Sequence, residues 1–221
     1  DNKPYTGKVF SFNEKGHKES EMTYKNGKQD GLFTFWHENG QKKEEGTYKD
    51  GKRERKWTAW YESGKLGGKG TYKDGKKHGL LARWHENGQK KDETTFKDGE
   101  IDGYILLYVN GKKSYKEPRK DGKKEGLSTK WYENGQKEYE EYYKDGEIDG
   151  LWTTWHENGQ KEAEGTYKDG KPDGLSTSWH ENGQKKYEGV SDDGNQISEE
   201  CWDEDGNECE CTQEIFGSGC K

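Results

Sequence analysis

Residues 150–174 read GLWTTWHENGQKEAEGTYKDGKPDG: an apolar and aromatic run, Asn-Gly, a polar run ending in Gly-Thr-Tyr, then Asp-Gly. Laid along the chain, the pattern puts an aromatic residue at Trp36, Trp60, Trp84, Tyr108, Trp131, Trp155, Trp179 and Trp202. Successive steps are 24, 24, 24, 23, 24, 24 and 23 residues. A fixed period of this size marks a repeat array, in which each unit buries its apolar face on its neighbours.

Composition by itself argues for disorder. Only 24% of the 221 residues are hydrophobic and 38% are charged, while Leu, Ile, Val and Phe together number 23. That is little aliphatic surface to set against chain entropy. The period decides otherwise, because the 29 aromatics and many of the 32 glycines recur at set places. The expectation is a thin, extended structure whose repeats cover each other's rings. The net charge of −7 comes from 45 acidic and 38 basic residues, interleaved with no basic stripe. Phosphate-led binding of nucleic acid is therefore excluded. No apolar run is long enough to span a bilayer.

Two turn signals alternate. One series runs from Asn39-Gly40 to Asp205-Gly206, the other from Asn26-Gly27 to Asp193-Gly194. Asn-Gly and Asp-Gly both tolerate positive φ at both positions, as a two-residue type I′ hairpin requires. Segments of strand length without helical period separate them, which predicts an all-β, single-layer antiparallel meander of about eight hairpin repeats. Twist should roll so long a sheet into a trough or rod. The segment 170–174, with Pro172, looks too rich in Pro and Gly to be all strand. By alternation Leu151, Thr153 and Trp155 share one face, Trp152 and Thr154 the other, and Gly165 shares a face with Tyr167. The reading is of a large ring lying over a neighbouring glycine, with stacked aromatics holding the layer together.

The series Trp-His-Glu-Asn-Gly-Gln, then Gly-Thr-Tyr-Lys-Asp-Gly-Lys, then Asp-Gly-Leu resembles the MORN repeat in its bacterial variant form, over about residues 5–208. The resemblance implies consecutive β-hairpins, no catalysis, and a role as scaffold or binding surface; bacterial members are often grouped with antitoxins. Arg53-Glu54-Arg55-Lys56 departs from the usual lead-in, Tyr108-Val109 shortens a strand, and Glu117-Pro118-Arg119 replaces a Gly-Thr-Tyr. Local irregularity is expected at 53–57 and 108–119, since Pro118 cannot donate a ladder bond.

The ends differ from the middle. Val9, Phe10 and Phe12 belong to a degenerate first unit, where an edge strand offers a template for another chain. Residues 1–198 are read as the repeat array, and 199–221 as a last strand and turn with a cap holding Cys201, Cys209, Cys211 and Cys220. Zinc sites favour closely spaced cysteine pairs that this tail lacks, so two disulfides are expected. Three pairings are possible, with Cys209–Cys211 the least comfortable. Disulfides point to an oxidising compartment: secreted, cell surface or periplasmic.

His37, His85, His156 and His180 occupy one repeat position, on strands roughly 9–10 Å apart, too far to share an ion. They read as turn-flanking residues. Asp203 to Glu208 lacks an acidic residue where an EF-hand needs one, at Cys201, and the glycines of 64–70 lack a P-loop ending. A unique catalytic cluster should break the repeat and none does outside the cysteine tail, so no catalytic, cofactor or metal site is expected. The reading is a non-catalytic extracellular scaffold that binds a protein partner or itself, as a homo-oligomer or filament. The ladder Trp36, Trp60, Trp84, Tyr108, Trp131, Trp155 and Trp179 is structural or binding. The alternatives are a glycan-binding module with exposed aromatic platforms, which needs accessible tryptophans, and an antitoxin-like binder with free thiols.

Overall fold

A computed structural model describes residues 3–212 and 220, in which every regular element is a β-strand. The chain divides into two compact units, Asp1–Gly111 and Lys112–Lys221. The first holds β1 (Gly7–Phe12), β2 (Lys18–Lys25), β3 (Lys28–Trp36), β4 (Lys42–Lys49), β5 (Lys52–Trp60), β6 (Leu66–Lys73), β7 (Lys76–Lys77), β8 (Gly79–Trp84), β9 (Lys90–Lys97) and β10 (Glu100–Val109). The second holds β11 (Lys112–Lys120), β12 (Lys123–Lys124), β13 (Gly126–Trp131), β14 (Lys137–Lys144), β15 (Glu147–Trp155), β16 (Lys161–Lys168), β17 (Lys171–Trp179), β18 (Lys185–Asp192), β19 (Asn195–Trp202) and β20 (Glu208–Cys209). Within each unit strands pair antiparallel with their sequence neighbours; β7 and β12 are detached starts of β8 and β13. β19 straddles the boundary expected at 198/199.

The two turn series differ, which corrects the expectation of type I′ turns at both. Asp50-Gly51, Asp74-Gly75, Asp145-Gly146 and Asp169-Gly170 have positive φ at both residues, as type I′ demands. In the WHENGQ series only the glycine does, as at Gly40 (φ 83°). There the Gly40 N–H donates to His37 O (2.9 Å) and the Gln41 N–H to Asn39 Oδ1 (3.0 Å), closing a longer loop. Asn110-Gly111 reverts to positive φ at both positions because that repeat is a residue short.

Each long strand carries a bulge at its Asp-Gly-Leu. Gly165 pairs with Ser176 and Tyr167 with Pro172, leaving residues 173–175 opposite Thr166 alone. The bulge needs positive φ, supplied by glycine at Gly31, Gly79, Gly103, Gly126, Gly150 and Gly174; Arg55 alone adopts it without being glycine, at φ 63°. This is the irregularity expected at 53–57. The repeat threonine serves the bulged backbone: Thr166 Oγ1 donates to Asp173 O, and Thr23 Oγ1 to Leu32 O at 3.1 Å. Thr95 Oγ1 accepts from Tyr104 N–H at 2.7 Å. Pro118 stands at the threonine position, opposite the bulge, so its missing N–H costs no ladder bond. The segment after Gly170 is strand from Lys171 onward, not loop, because Pro172 O accepts from Gly194 N–H at 2.9 Å.

The same contact recurs along the turns. Gly51, Gly75, Gly146 and Gly170 donate their N–H to the carbonyls of Gln29, Arg53, Lys124 and Ile148, one repeat earlier, at 2.7–3.0 Å. A Gly after each Asp thus closes its own hairpin and ties it to the previous one.

Candidate interaction surfaces

One face carries the tryptophan row. All seven ladder positions, Trp36, Trp60, Trp84, Tyr108, Trp131, Trp155 and Trp179, are half-buried. Six of them lie under a lysine: the ammonium of Lys137 sits 5.2 Å from the Trp155 ring, Lys161 5.8 Å from Trp179 and Lys90 5.4 Å from Tyr108. The lysine also pairs with the glutamate three residues on, as in Lys90–Glu93 and Lys137–Glu140, both at 2.7 Å, and in Lys161–Glu164. Most rungs are therefore ring, ammonium and carboxylate. The sequence signal, Lys-x-x-Glu in most repeats, was available; only the register reveals its partner ring.

The loops beside this row are tethered. His37 Nε2–H donates to Trp60 O and His180 Nε2–H to Trp202 O, both at 2.9 Å. Tyr132 Oη–H does the same to Trp155 O at 2.8 Å. The Asn134 amide reaches Glu157 O at 2.7 Å while its Oδ1 closes its own loop. These contacts give a role to the His or Tyr that follows six of the seven ladder residues, and to the Asn three positions beyond five of them, where the tether forms. Among the described residues no group of three or more His, Cys, Asp or Glu is placed to hold a metal ion.

The other face differs between the units. In the first, Phe33 (1% exposed) and Trp57 (5%) lie on either side of Gly46, in register with both. A Cβ on Gly46 would stand 2.7 Å from Phe33 and 2.8 Å from Trp57. The rings over glycine thus come from adjacent strands. Their centroids are 4.4 Å apart, Tyr48 and Tyr72 pack on their edges, and the Arg53 guanidinium lies 3.7 Å from the Trp57 ring. Burial works against the Arg53 charge, yet hydrogen bonding to Tyr72 and Tyr48 keeps its pKa above the ordinary value. Farther along, Asp92, 3% exposed, accepts two hydrogen bonds from Arg83 Nε at 2.9 and 3.0 Å.

In the second unit the glycine position is kept at Gly165 and Gly189 but taken by Glu117 and Glu141 on two strands. Glu117, 5% exposed, accepts from Tyr115 Oη (2.5 Å) and Arg119 Nε (2.6 Å), with Lys124 Nζ at 3.3 Å. Burial pushes this carboxyl up, but the bonds from Tyr115, Arg119 and Lys124 outweigh it and hold the pKa below the usual value. Tyr143 donates to Glu141 at 2.7 Å. Burial, then the neighbouring carboxylate, raises both Tyr115 and Tyr143 well above an ordinary phenol.

At the edge, β1 pairs with β2 only, among the described residues. Val9, Phe10 and Phe12 are exposed, Phe12 at 59%, but do not form one patch: Phe10 and Phe12 share a face and Val9 points to the other. Lys18 Nζ lies 4.6 Å from the Phe10 ring. The sequence reading missed a row of exposed leucines on the tryptophan face: Leu32 and Leu80 in the first unit, Leu127, Leu151 and Leu175 in the second. At the other end the disulfides are Cys201–Cys211 and Cys209–Cys220, and β20 pairs Cys201 with Cys209 and Trp202 with Glu208. The staple covers only that end of β19. Residues 195–200 have no outer partner among the described residues.

The MORN repeat variant family matches residues 5–26, 29–50, 56–74, 77–98, 124–145, 148–169 and 172–193. No curated protein matches the chain. Among solved structures, the chain is similar to one in the crystal structure of TcdB2-TccC3, at 10% identity and a TM-score of 0.26. That likeness covers 96% of this chain but only 14% of the other, and it carries no argument.

Proposed function

The chain belongs to the MORN repeat variant family, and from that premise we propose that it is a non-catalytic, extracellular scaffold presenting a surface for a protein partner or a second copy of itself. The observation that carries this reading is the open outer side of β1, with exposed Val9, Phe10 and Phe12. An unpaired strand edge accepts another extended strand through its backbone groups. The two disulfides support an oxidising compartment.

Light scattering on the full chain and on a form lacking residues 1–12 tests the edge. The full chain should associate and the truncated form should not; unchanged assembly removes the edge from the argument. A second truncation-free variant, Phe12→Lys, guards against loss of folding in β2. Titration of native protein with a thiol reagent should find no free cysteine; reactive thiols would move the protein out of the oxidising compartment. Glycan binding through the tryptophans has less support, because an ammonium stands over most of the rings.

A further inference from the structure

The second unit contains an open cleft of about 810 Å³ that runs from the face bearing Trp152 and Tyr167 to the loops and to Trp179 of the tryptophan row. Its origin is a volume deficit. Ser176 and Ser178 stand at the repeat positions where the first unit places Phe33 and Phe35. Trp152, Tyr167 and Trp179 form aromatic walls, with Trp152 edge-on to Tyr167 at 6.3 Å between centroids.

The loops fail to close over this space. His156 Nε2 is shielded from solvent and has no hydrogen-bond partner, whereas the same atoms of His37 and His180 meet a carbonyl of the next repeat. Asn158 likewise turns back to Gln160 at 3.5 Å instead of reaching the next loop, as Asn134 and Asn182 do. His156 lines the cleft.

The charge is one-sided. Glu141, Glu162, Glu181 and Glu204 line the cleft against a single cation, Lys186. Elsewhere the repeat glutamates are neutralised, as Glu164 is by Lys161 and Glu188 by Lys185. Among the described residues, no ion pair or hydrogen bond engages the carboxylates of Glu162, Glu181 or Glu204, and the Glu141 carboxylate accepts only the Tyr143 hydroxyl. Unpaired carboxylates beside aromatic faces fit one chemistry, a cation with an apolar flank.

We propose that this cleft binds organic cations, namely the guanidinium or alkylammonium groups carried by arginine and lysine side chains or by polyamines. The cation rests against the Trp152 and Tyr167 rings, its N–H groups shared between the carboxylates. The site lies wholly in the second unit, so loss of the β1 edge leaves it intact.

The test is calorimetric titration of the full chain with arginine methyl ester, with citrulline methyl ester as the uncharged match. Saturable binding of the arginine compound, at least about tenfold tighter than the citrulline compound, is expected. The double variant Glu162→Gln/Glu181→Gln should weaken it by about tenfold or more with an unchanged circular dichroism spectrum. Equal binding of the two esters, or an unchanged double variant, overturns the proposal. Two further arms identify the source. Tighter binding of an arginine-containing peptide than of spermine supports a polypeptide, and the reverse order a polyamine.

Discussion

The two units fill several of the same repeat positions with different chemistry. In the first, large rings at Phe33 and Trp57 close over Gly46; in the second, Ser128 faces Glu141 across the strand pair and Glu117 takes the glycine's place. A small side chain makes room for a large one in each of these pairs, Gly46 for Phe33 and Trp57, and Ser128 for Glu141. The chemistry does not carry over. Rings bury area and contribute dispersion, whereas a buried carboxylate is tolerated only with its hydrogen bonds complete. Where both partners are small, as with Ser178 opposite Ala163, the sheet leaves a cleft.

Breaking the aromatic side should have the largest effect. Trp57→Ala removes the ring shared by Phe33, Arg53 and Tyr72, and should destabilise the first unit by about 3–5 kcal/mol in urea titration. Hydrogen exchange should show the loss in β3 to β6. In the second unit, Glu117→Gln leaves Arg119 and Lys124 without their anion and should cost about 1–3 kcal/mol.

The same residue sets a pH dependence. Because the folded Glu117 carboxyl titrates below its ordinary value of 4.5, its contribution is complete above that pH. It is lost as pH falls through the lower folded value. Urea midpoints measured down this range should decline for the native chain, with the decline reduced in Glu117→Gln.

A smaller change of opposite sign is expected at the bulge. Arg55 holds φ 63° where six other repeats place glycine. Arg55→Gly should stabilise the first unit by about 1 kcal/mol, since the left-handed conformation is costly for a residue with a Cβ. A lower urea midpoint would show that the arginine side chain offsets its backbone. Least of all should follow from Lys161→Ala. Removing one exposed rung over Trp179 should cost about 0.5 kcal/mol, shrinking with added salt.

Much of the fold was readable from the chain because its signals are local. Asp169-Gly170 dictates a reversal through backbone sterics, and alternation alone assigns Leu151, Thr153 and Trp155 to one face. The site was less readable. The lysine over each ring, the tether from His37 to Trp60 and the bulge at Gly174 join residues that only strand register brings together. For the same reason the Asn-Gly loops were mistaken for two-residue turns: Asn39 binds Glu62 O in the next loop as well as its own backbone.

The sequence by itself determined a period, a strand-and-turn rhythm and which side chains share a face, all consequences of covalent geometry within a few residues. Only the tertiary structure decided which ring covers which glycine, where a carboxylate is neutralised, and where small residues on adjacent strands leave space. Those outcomes depend on the volume and charge of side chains about 5 Å apart in space but many residues apart along the chain.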